Sequence, residues 1–388
     1  MSCNVFSTVK RRPVPRIRVC LSLFLLLQAC LVSVQAELAT AQQRWTPERA
    51  NAWYAQQPWL VGCNYLPASD INQIEMWQDL DLEEIDRELD WAAGLGMNTV
   101  RVFLHDLCWK DDPQAYLKKM DQFLDVCAKH DIRPMIVLFD GVWDPDPQLG
   151  RQNRPRRGVH NSGWVQGPGR VVLADPAKQD QLQDYVVSVV QRFKDDDRVL
   201  CWDLFNEPDN GNANSYGPLE LPNKDEAAAR LVRKSFEWAR SVAPQQPLTV
   251  CVWQGPPWSD ASQLNQTHQA ALELSDVVSY HEYGDPGAMQ NRIDQLKGYG
   301  RPLICTEYMA RGNGSTFEDI LPLLKRERVA AYNWGLVDGK SQTKYPWPTW
   351  QTPELGEPTP WHHDIFRPDG EPYRQDEVDL IRSLTGAE

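Results

Sequence analysis

From Trp59 onward the chain alternates between two kinds of segment, and that alternation constrains the fold more than any other feature. Short apolar runs open at Trp59 (WLVGCNYL), Asn98 (NTVRVFL), Arg133 (RPMIVLFD) and Val199 (VLCWDLFNE). Four more open at Pro247 (PLTVCVW), Val277 (VVSYHEY), Pro302 (PLICTEY) and Val329 (VAAYNWGLV), which makes eight. They are near-continuous rather than alternating, as expected of parallel strands covered on both faces. Amphipathic stretches separate them. Eight strands each followed by a helix, with right-handed crossovers, close into a (β/α)8 TIM barrel of class α/β. An open doubly wound sheet is the competing arrangement, but no GxGxxG follows the first run and composition does not shift along the chain. One domain over residues 45–388 is the expectation.

The helical stretches carry their own signals. Leu82, Ile85, Leu89 and Ala92 recur at three- and four-residue spacing, closed by Gly94 and Gly96. Asp112-Pro113 and Asp175-Pro176 each set a capping carboxylate before a proline suited to the first helical turn. The second pair opens a stretch carrying Leu182, Tyr185, Val186, Val189 and Phe193. Helices are further expected over 225–243, 262–274, 286–296, 316–326 and 375–384, with Pro322 kinking or shortening the 316–326 segment. Two connections, residues 141–169 after the third strand and 338–373 after the eighth, exceed ordinary loop length. Both leave the strand ends where barrel proteins build their sites.

Residues 1–36 read as a secretory signal. A basic stretch (KRRPVPRIR) precedes an apolar one ending in Val34-Gln35-Ala36, a small-residue cleavage pattern. Gln28 interrupts the apolar stretch, which is short for a membrane span. A lipoprotein reading through LQAC fits poorly for the same glutamine. Cleavage near Ala36 yields a secreted or periplasmic chain, with no membrane partner afterwards. The full chain holds 40 basic and 53 acidic residues, and losing the five basic residues of the signal takes the net charge from −13 to −18. Such a balance argues against nucleic acid and anionic membranes as partners and is compatible with neutral substrates. The basic run RQNRPRR (residues 151–157) is a local exception.

Of nine cysteines, Cys3, Cys20 and Cys30 leave with the signal. Cys63, Cys201, Cys251 and Cys305 lie in strand-like runs and read as buried free thiols. Cys108 and Cys127 can pair in an oxidising compartment. The absence of a CxxC pair speaks against zinc, and neither metal nor cofactor is assigned. WHHDIF, starting at Trp361, reads as a surface loop rather than a metal site. GLVDGKS, from Gly335, misses the spacing of a phosphate loop by one residue. Asn265 and Asn313 open glycosylation sequons.

Unusual polar residues fall at strand ends: Asn206 and Glu207 on the fourth, His281 and Tyr283 on the sixth, Glu307 on the seventh. Arg101 lies on the second strand and Trp334 on the eighth. A barrel gathers these ends around one mouth. Two facing carboxylates there suit glycoside hydrolysis, one as acid on the leaving oxygen and the other as nucleophile or as base for water. Unequal surroundings would keep one protonated and the other ionised. One difficulty is geometric. Neighbouring strand residues point to opposite faces, so Asn206 and Glu207 share a pocket only if the strand end bends before Pro208.

These residues also carry a resemblance. WDLFNEP, SYHEY, CTEY and YNWG, on the fourth, sixth, seventh and eighth strands, resemble the retaining glycoside hydrolases of clan A, most closely family 5. The similarity spans the whole barrel. It implies that Glu207 is the acid/base and Glu307 the nucleophile. It implies further that Asn206 binds the hydroxyl beside the anomeric carbon, Tyr283 hydrogen-bonds the nucleophile, and His281 and Arg101 orient the carboxylates. Trp334 would form a sugar platform. Members of that family usually carry a histidine at the end of the third strand. Here VLFDGVW puts Phe139 and Asp140 there, leaving Asp140 or His105 to fill the place.

Each feature has a plainer alternative. His281 and Tyr283 can be a satisfied core pair, and Trp334 a core tryptophan. The sixteen tryptophans suit either sugar stacking or a large core. Trp347, Trp350 and Trp361 either line sugar subsites or pin the last loop, and the same choice holds for Trp143, Trp164 and Trp258. The resulting expectation is an exported, monomeric, retaining β-glycoside hydrolase acting on neutral mannan-, glucan- or xylan-type chains. Its carboxylates should stand roughly 5–5.5 Å apart. A transglycosylase using the same residues and a non-catalytic carbohydrate-binding barrel are the alternatives.

Overall fold

Among the residues described by the computed structural model, 1–3 and 43–387, eight parallel strands form one sheet: β1 (Val61–Asn64), β2 (Thr99–Phe103), β3 (Met135–Val137), β4 (Cys201–Asp203), β5 (Leu248–Thr249), β6 (Val278–His281), β7 (Leu303–Tyr308) and β8 (Ala330–Trp334). The signal segment of the sequence reading lies, beyond its first three residues, outside the described part. The sheet order is β5-β4-β3-β2-β1-β8-β7-β6, so β1 pairs with β8. A single parallel bridge between Val252 and Tyr280 joins the two remaining edges and closes the (β/α)8 barrel. All these elements lie in the unit Arg44–Glu388. Among the described residues no helix is long and apolar enough to cross a membrane.

Strand β2 shows how period two builds the barrel. Val100 and Val102 join the apolar layer packed against the surrounding helices. Thr99, Arg101 and Phe103 alternate with them and face the interior, where the Thr99 hydroxyl lies 2.8 Å from the Tyr332 hydroxyl. A small cluster at the N-terminal strand ends, with Leu60, Met135, Leu200 and Ile304, packs on Trp45 and Ala50. The barrel is therefore apolar at its base and polar toward its mouth, and the polarity is concentrated where the strands end.

The capping signals act as read. Asp112 accepts from the Ala115 amide at 3.0 Å and opens the helix Pro113–Lys129. Asp175 accepts from the Ala177 amide at 2.9 Å. The helix it opens, however, stops at Asp180, and a separate helix runs Gln183–Phe193. Between the two the backbone tightens into i→i−3 turns, the Gln181 and Leu182 amides donating to the Lys178 and Gln179 carbonyls at 3.2 and 3.0 Å, while the buried Gln179 side chain donates to the carbonyls of Leu173 and Ala227 at 2.7 and 3.0 Å. Pro322 lies inside its helix, Phe317–Arg326, and does not end it. The carbonyl that the proline cannot serve as a donor belongs to Glu318, an exposed residue. The expected helix over 262–274 is a 3-10 turn, Ala261–Gln263, followed by Gln266–Leu274. Cys108 and Cys127 are both buried free thiols, as are Cys63, Cys201, Cys251 and Cys305.

Candidate active site

Strand β4 spans Cys201–Asp203, the Leu204 and Asn206 amides still pair with the Thr249 and Phe139 carbonyls at 2.8 Å, and the chain leaves the ladder at Glu207. Glu207 takes a φ of +38°, in the left-handed region that side chains rarely occupy. That turn resolves the face problem: Asn206 and Glu207 both line one cavity at the barrel mouth, although they are neighbours in sequence. Glu307 joins them from β7. The cavity measures about 630 Å³.

Arg101 is fully buried and organises the floor. Its Nε and Nη2 donate to Asp203 Oδ2 at 3.0 and 2.7 Å, and Nη2 also donates to Asn206 Oδ1 at 2.7 Å. Its Nη1 donates to Glu307 Oε1 and to Asn64 Oδ1, both at 2.9 Å. A buried guanidinium requires such pairing, and the two carboxylates hold it above its ordinary pKa against the effect of burial. Tyr283 donates to the other Glu307 oxygen at 2.8 Å.

Glu207 meets different partners. Asn210 donates to its Oε2 at 2.6 Å, and His281 Nδ1 lies 2.7 Å from Oε1. The same Nδ1 stands 3.4 Å from Glu307 Oε2. His281 Nε2 is buried with no hydrogen-bond partner, which favours the tautomer carrying its proton on Nδ1. Burial pushes the Glu207 pKa up to about 7, with Asn210 opposing the rise. Burial also raises Glu307, opposed by His281, Arg101 and Tyr283. Burial lowers His281 to about 4, so the imidazole is neutral at neutral pH. The two carboxylates thus differ in kind, since one contacts a guanidinium and the other only neutral groups.

One oxygen of Glu207, one of Glu307 and a nitrogen of His281 lie within 4.8 Å of one another. So close an approach of single oxygens accords with a pair of carboxyl groups roughly 5–5.5 Å apart, the spacing of a nucleophile and an acid/base. The three atoms also form a donor set a cation would accept, but Arg101 already supplies a fixed positive charge at Glu307, which opposes a second one.

The remaining sequence candidates divide. Trp334 lines the cavity, its ring edge-on to Trp164 at 5.9 Å and to Phe103 at 5.8 Å. Asp140 lines it as well, donor-saturated by Trp164 Nε1 at 2.5 Å, Asn206 Nδ2 at 3.0 Å and the Val142 amide at 3.0 Å. Its pKa rises to about 7 through burial. His105 is not at the cavity wall. It caps the helix Asp106–Asp111 and bonds the Gln166 carbonyl at 2.9 Å, so its work is to hold the loop behind the wall. Arg101 and His281 act through the carboxylates rather than lining the main cavity.

Among the other tryptophans, Trp143, Trp164, Trp347 and Trp350 line the cavity. Trp258 is fully buried in the core. Trp361 is buried too, stacked on Tyr373 at 4.4 Å, and pins the last loop. His362 and His363 are buried rather than on the surface, at 2% and 1% exposure. The cause is Arg311, whose guanidinium gathers the carbonyls of Trp361, His363 and Asp364 and pairs with Glu377 at 2.5 Å.

Sequence reasoning missed several participants. Asn210 touches Glu207 directly, and only its place three residues on, past the Pro208 turn, hints at that. Lys224 is buried at the start of the helix Lys224–Ser241. Its ammonium binds the carbonyls of Asn210 and Gly141 at 2.5 and 2.8 Å and Glu220 at 2.9 Å. Asp209 orients Trp253 at 2.8 Å and also accepts from the sequon residue Asn265 at 2.6 Å. A lysine opening a helix carries no sequence signal for such a role.

Residues 76–351 match the family model described as Cellulase (glycosyl hydrolase family 5). Among curated proteins the chain is similar to mannan endo-1,4-beta-mannosidase A of Emericella nidulans, 23% identical over 215 residues, covering 52% of this chain and 51% of that one. The chain therefore spans about half the length of that curated relative. Among solved structures it is similar to a GH5_18 protein from Streptomyces cattleya in complex with Manβ1-4GlcNAc, with a TM-score of 0.57 at 15% identity, over 84% of this chain and 80% of that one. It is also similar to an endo-1,4-beta-mannanase from Rhizomucor miehei, with a TM-score of 0.56 at 13% identity, over 86% and 95%. At these identities the structural likeness speaks for the fold.

Proposed function

The chain belongs to glycosyl hydrolase family 5, and from that premise we propose that it is an exported, retaining β-glycoside hydrolase acting on neutral β-linked chains of the mannan type. One observation carries the mechanism: two buried carboxylates with oxygens within 4.8 Å, one held by a guanidinium and one by neutral partners, in a tryptophan-lined cavity. Glu307, ionised beside Arg101, attacks the anomeric carbon. The bond to the leaving oxygen breaks as Glu207 gives that oxygen its proton, and a glycosyl ester on Glu307 results. Water then attacks the same carbon, Glu207 takes its proton, and the Glu307 carboxylate departs. Tyr283 and Arg101 favour the anionic Glu307 that both steps require. Asn206, fixed between Arg101 and Asp140, is placed to bind the hydroxyl beside the anomeric carbon, and Trp334 to stack on the ring.

The mannan class rests on the mannosidase relative and the mannanase neighbour, and the negative net charge favours neutral chains over acidic ones. Export rests on the N-terminal segment, and sequencing the secreted chain should find it beginning just after Ala36. The mechanism is tested by incubating the protein with activated β-mannosides and β-glucosides fluorinated beside the anomeric carbon, which slow release of the glycosyl ester. Intact-mass spectrometry with peptide mapping should find the label on Glu307. A label on another residue, or inverted product configuration by NMR, would overturn the assignment.

A further inference from the structure

The mouth of the barrel is not an open trough. The loop after β8 crosses from its own strand to the loops after β3 and β4 and is bonded to both. Gln342 of the β8 loop accepts from the Gly158 amide at 3.1 Å and donates to the Arg156 carbonyl at 2.8 Å. Thr349 Oγ1 accepts from the His160 amide at 2.9 Å, and the Tyr345 carbonyl lies 2.8 Å from His160 Nδ1. Farther along, Gln351 donates to the Asn214 carbonyl of the β4 loop at 2.6 Å. The bridge is also packed: Trp350 stacks on Trp143 at 5.4 Å and 23° and meets Tyr216 edge-on at 5.4 Å.

This bridge forms one wall of the cavity that holds the two carboxylates, since Trp143, His160 and Trp350 line it together with Glu207 and Glu307. The opposite side is different. There, toward the ends of β5 and β6, a second hollow of about 370 Å³, bordered by Glu207, Trp253, Tyr283 and Gly284 with Trp347 of the β8 loop at its edge, continues outward from Glu207. Under the mechanism above, Glu207 stands beside the oxygen that leaves. The departing part of the chain therefore extends through the open side, and the sugar bonded to Glu307 occupies the side that ends at the bridge. We propose that the cavity is a dead end that admits only the free non-reducing end of a β-linked chain, so that the protein shortens chains from that end and does not cut them internally. The proposal rests on the hydrolase reading for which end is held, and on the bridge itself for the closure.

The test separates the two. Turnover is halted with Glu307→Gln, and titration calorimetry follows β-1,4-mannotriose in three forms: unmodified, reduced to the alditol at its reducing end, and blocked by a 4,6-O-benzylidene group on its non-reducing sugar. Closure predicts that the first two bind alike and that the third binds at least about tenfold more weakly. Equal binding of the blocked form, or no binding by any form, overturns the proposal. In parallel the wild-type chain is given unmodified manno-oligosaccharides and polymeric mannan. Release of short units from the free end with little early loss of viscosity supports end-on attack, whereas a spread of internal fragments overturns it. Discriminating binding without any hydrolysis would sink the hydrolase reading and leave the closed end standing.

Discussion

Glu207 and Glu307 share burial but not partners, and that difference sets how activity should depend on pH. Glu207 titrates near 7 because burial disfavours its charge, and it works as an acid only while protonated. The rate constant kcat/KM should therefore fall as pH rises through about 7. In Glu207→Gln that alkaline limb should vanish, with activity on unactivated substrates reduced by about 100-fold or more. A limb unchanged in the variant would assign it to another group. The same shift has a stability consequence with a definite sign. A carboxyl whose folded pKa lies above its unfolded value stabilises the fold below the unfolded pKa, and that contribution is lost as pH rises through the folded one. Glu207→Gln removes the penalty of an ionised buried carboxylate. Its midpoint of thermal unfolding should match wild type near pH 4 and exceed it at pH 8, by a free-energy difference on the order of 3 kcal/mol. A lower midpoint at pH 8 would mean that Glu207 is stabilised by its partners when charged.

At the scale of elements, the bridge over the mouth depends on an ion pair outside it. Arg311 and Glu377 are buried together, and the guanidinium also binds three consecutive-region carbonyls of the β8 loop. Arg311→Met would strand Glu377 and release that loop, and should lower stability in urea titrations by about 3–5 kcal/mol. Adding Glu377→Leu should recover part of the loss, whereas no recovery would show that the carbonyl contacts carry the effect. Such an anchor was illegible in the sequence, where Arg311 is one arginine among many and its partners lie 50 to 66 residues on. The eight strands and their helices were legible because periods of two and of 3.6 are written locally. So were the two carboxylates, because an apolar run that ends on Glu207 or Glu307 breaks its own pattern. What was not legible came from tertiary hydrogen bonds: His105 turning from the mouth to cap a helix, and Arg311 drawing His362 and His363 inside.

For the molecule as a whole, a closed barrel is only as firm as its weakest seam, and here that seam runs between β5 and β6. Strand β5 has two residues; past its end one bridge meets β6 through the amides of Val252 and His281, at 3.1 and 3.0 Å, and before β6 the Asp276 amide donates to the Leu248 carbonyl at 2.8 Å. Side chains replace the missing ladder. Thr249 Oγ1 donates to the Val277 carbonyl at 2.9 Å and lies 2.8 Å from Ser279 Oγ. The Asp276 carboxylate accepts from the amides of Trp45 and Leu248 at 2.8 and 2.9 Å and pairs with Arg240 at 2.8 Å. Local opening follows the sparsest backbone pairing, so native-state hydrogen exchange should find Val252 and His281 less protected than the amides of β7 and β8. Asp276→Asn should lower protection at this seam before it lowers global stability, because it keeps the shape and weakens the clamp. The seam lies beneath His281 and Tyr283, which contact Glu207 and Glu307. A bound sugar touching those groups should therefore tighten it, raising protection at Val252 and His281 more than in β1 to β3. Uniform protection around the barrel, with or without sugar, would show that the side-chain clamp makes this seam as firm as the others.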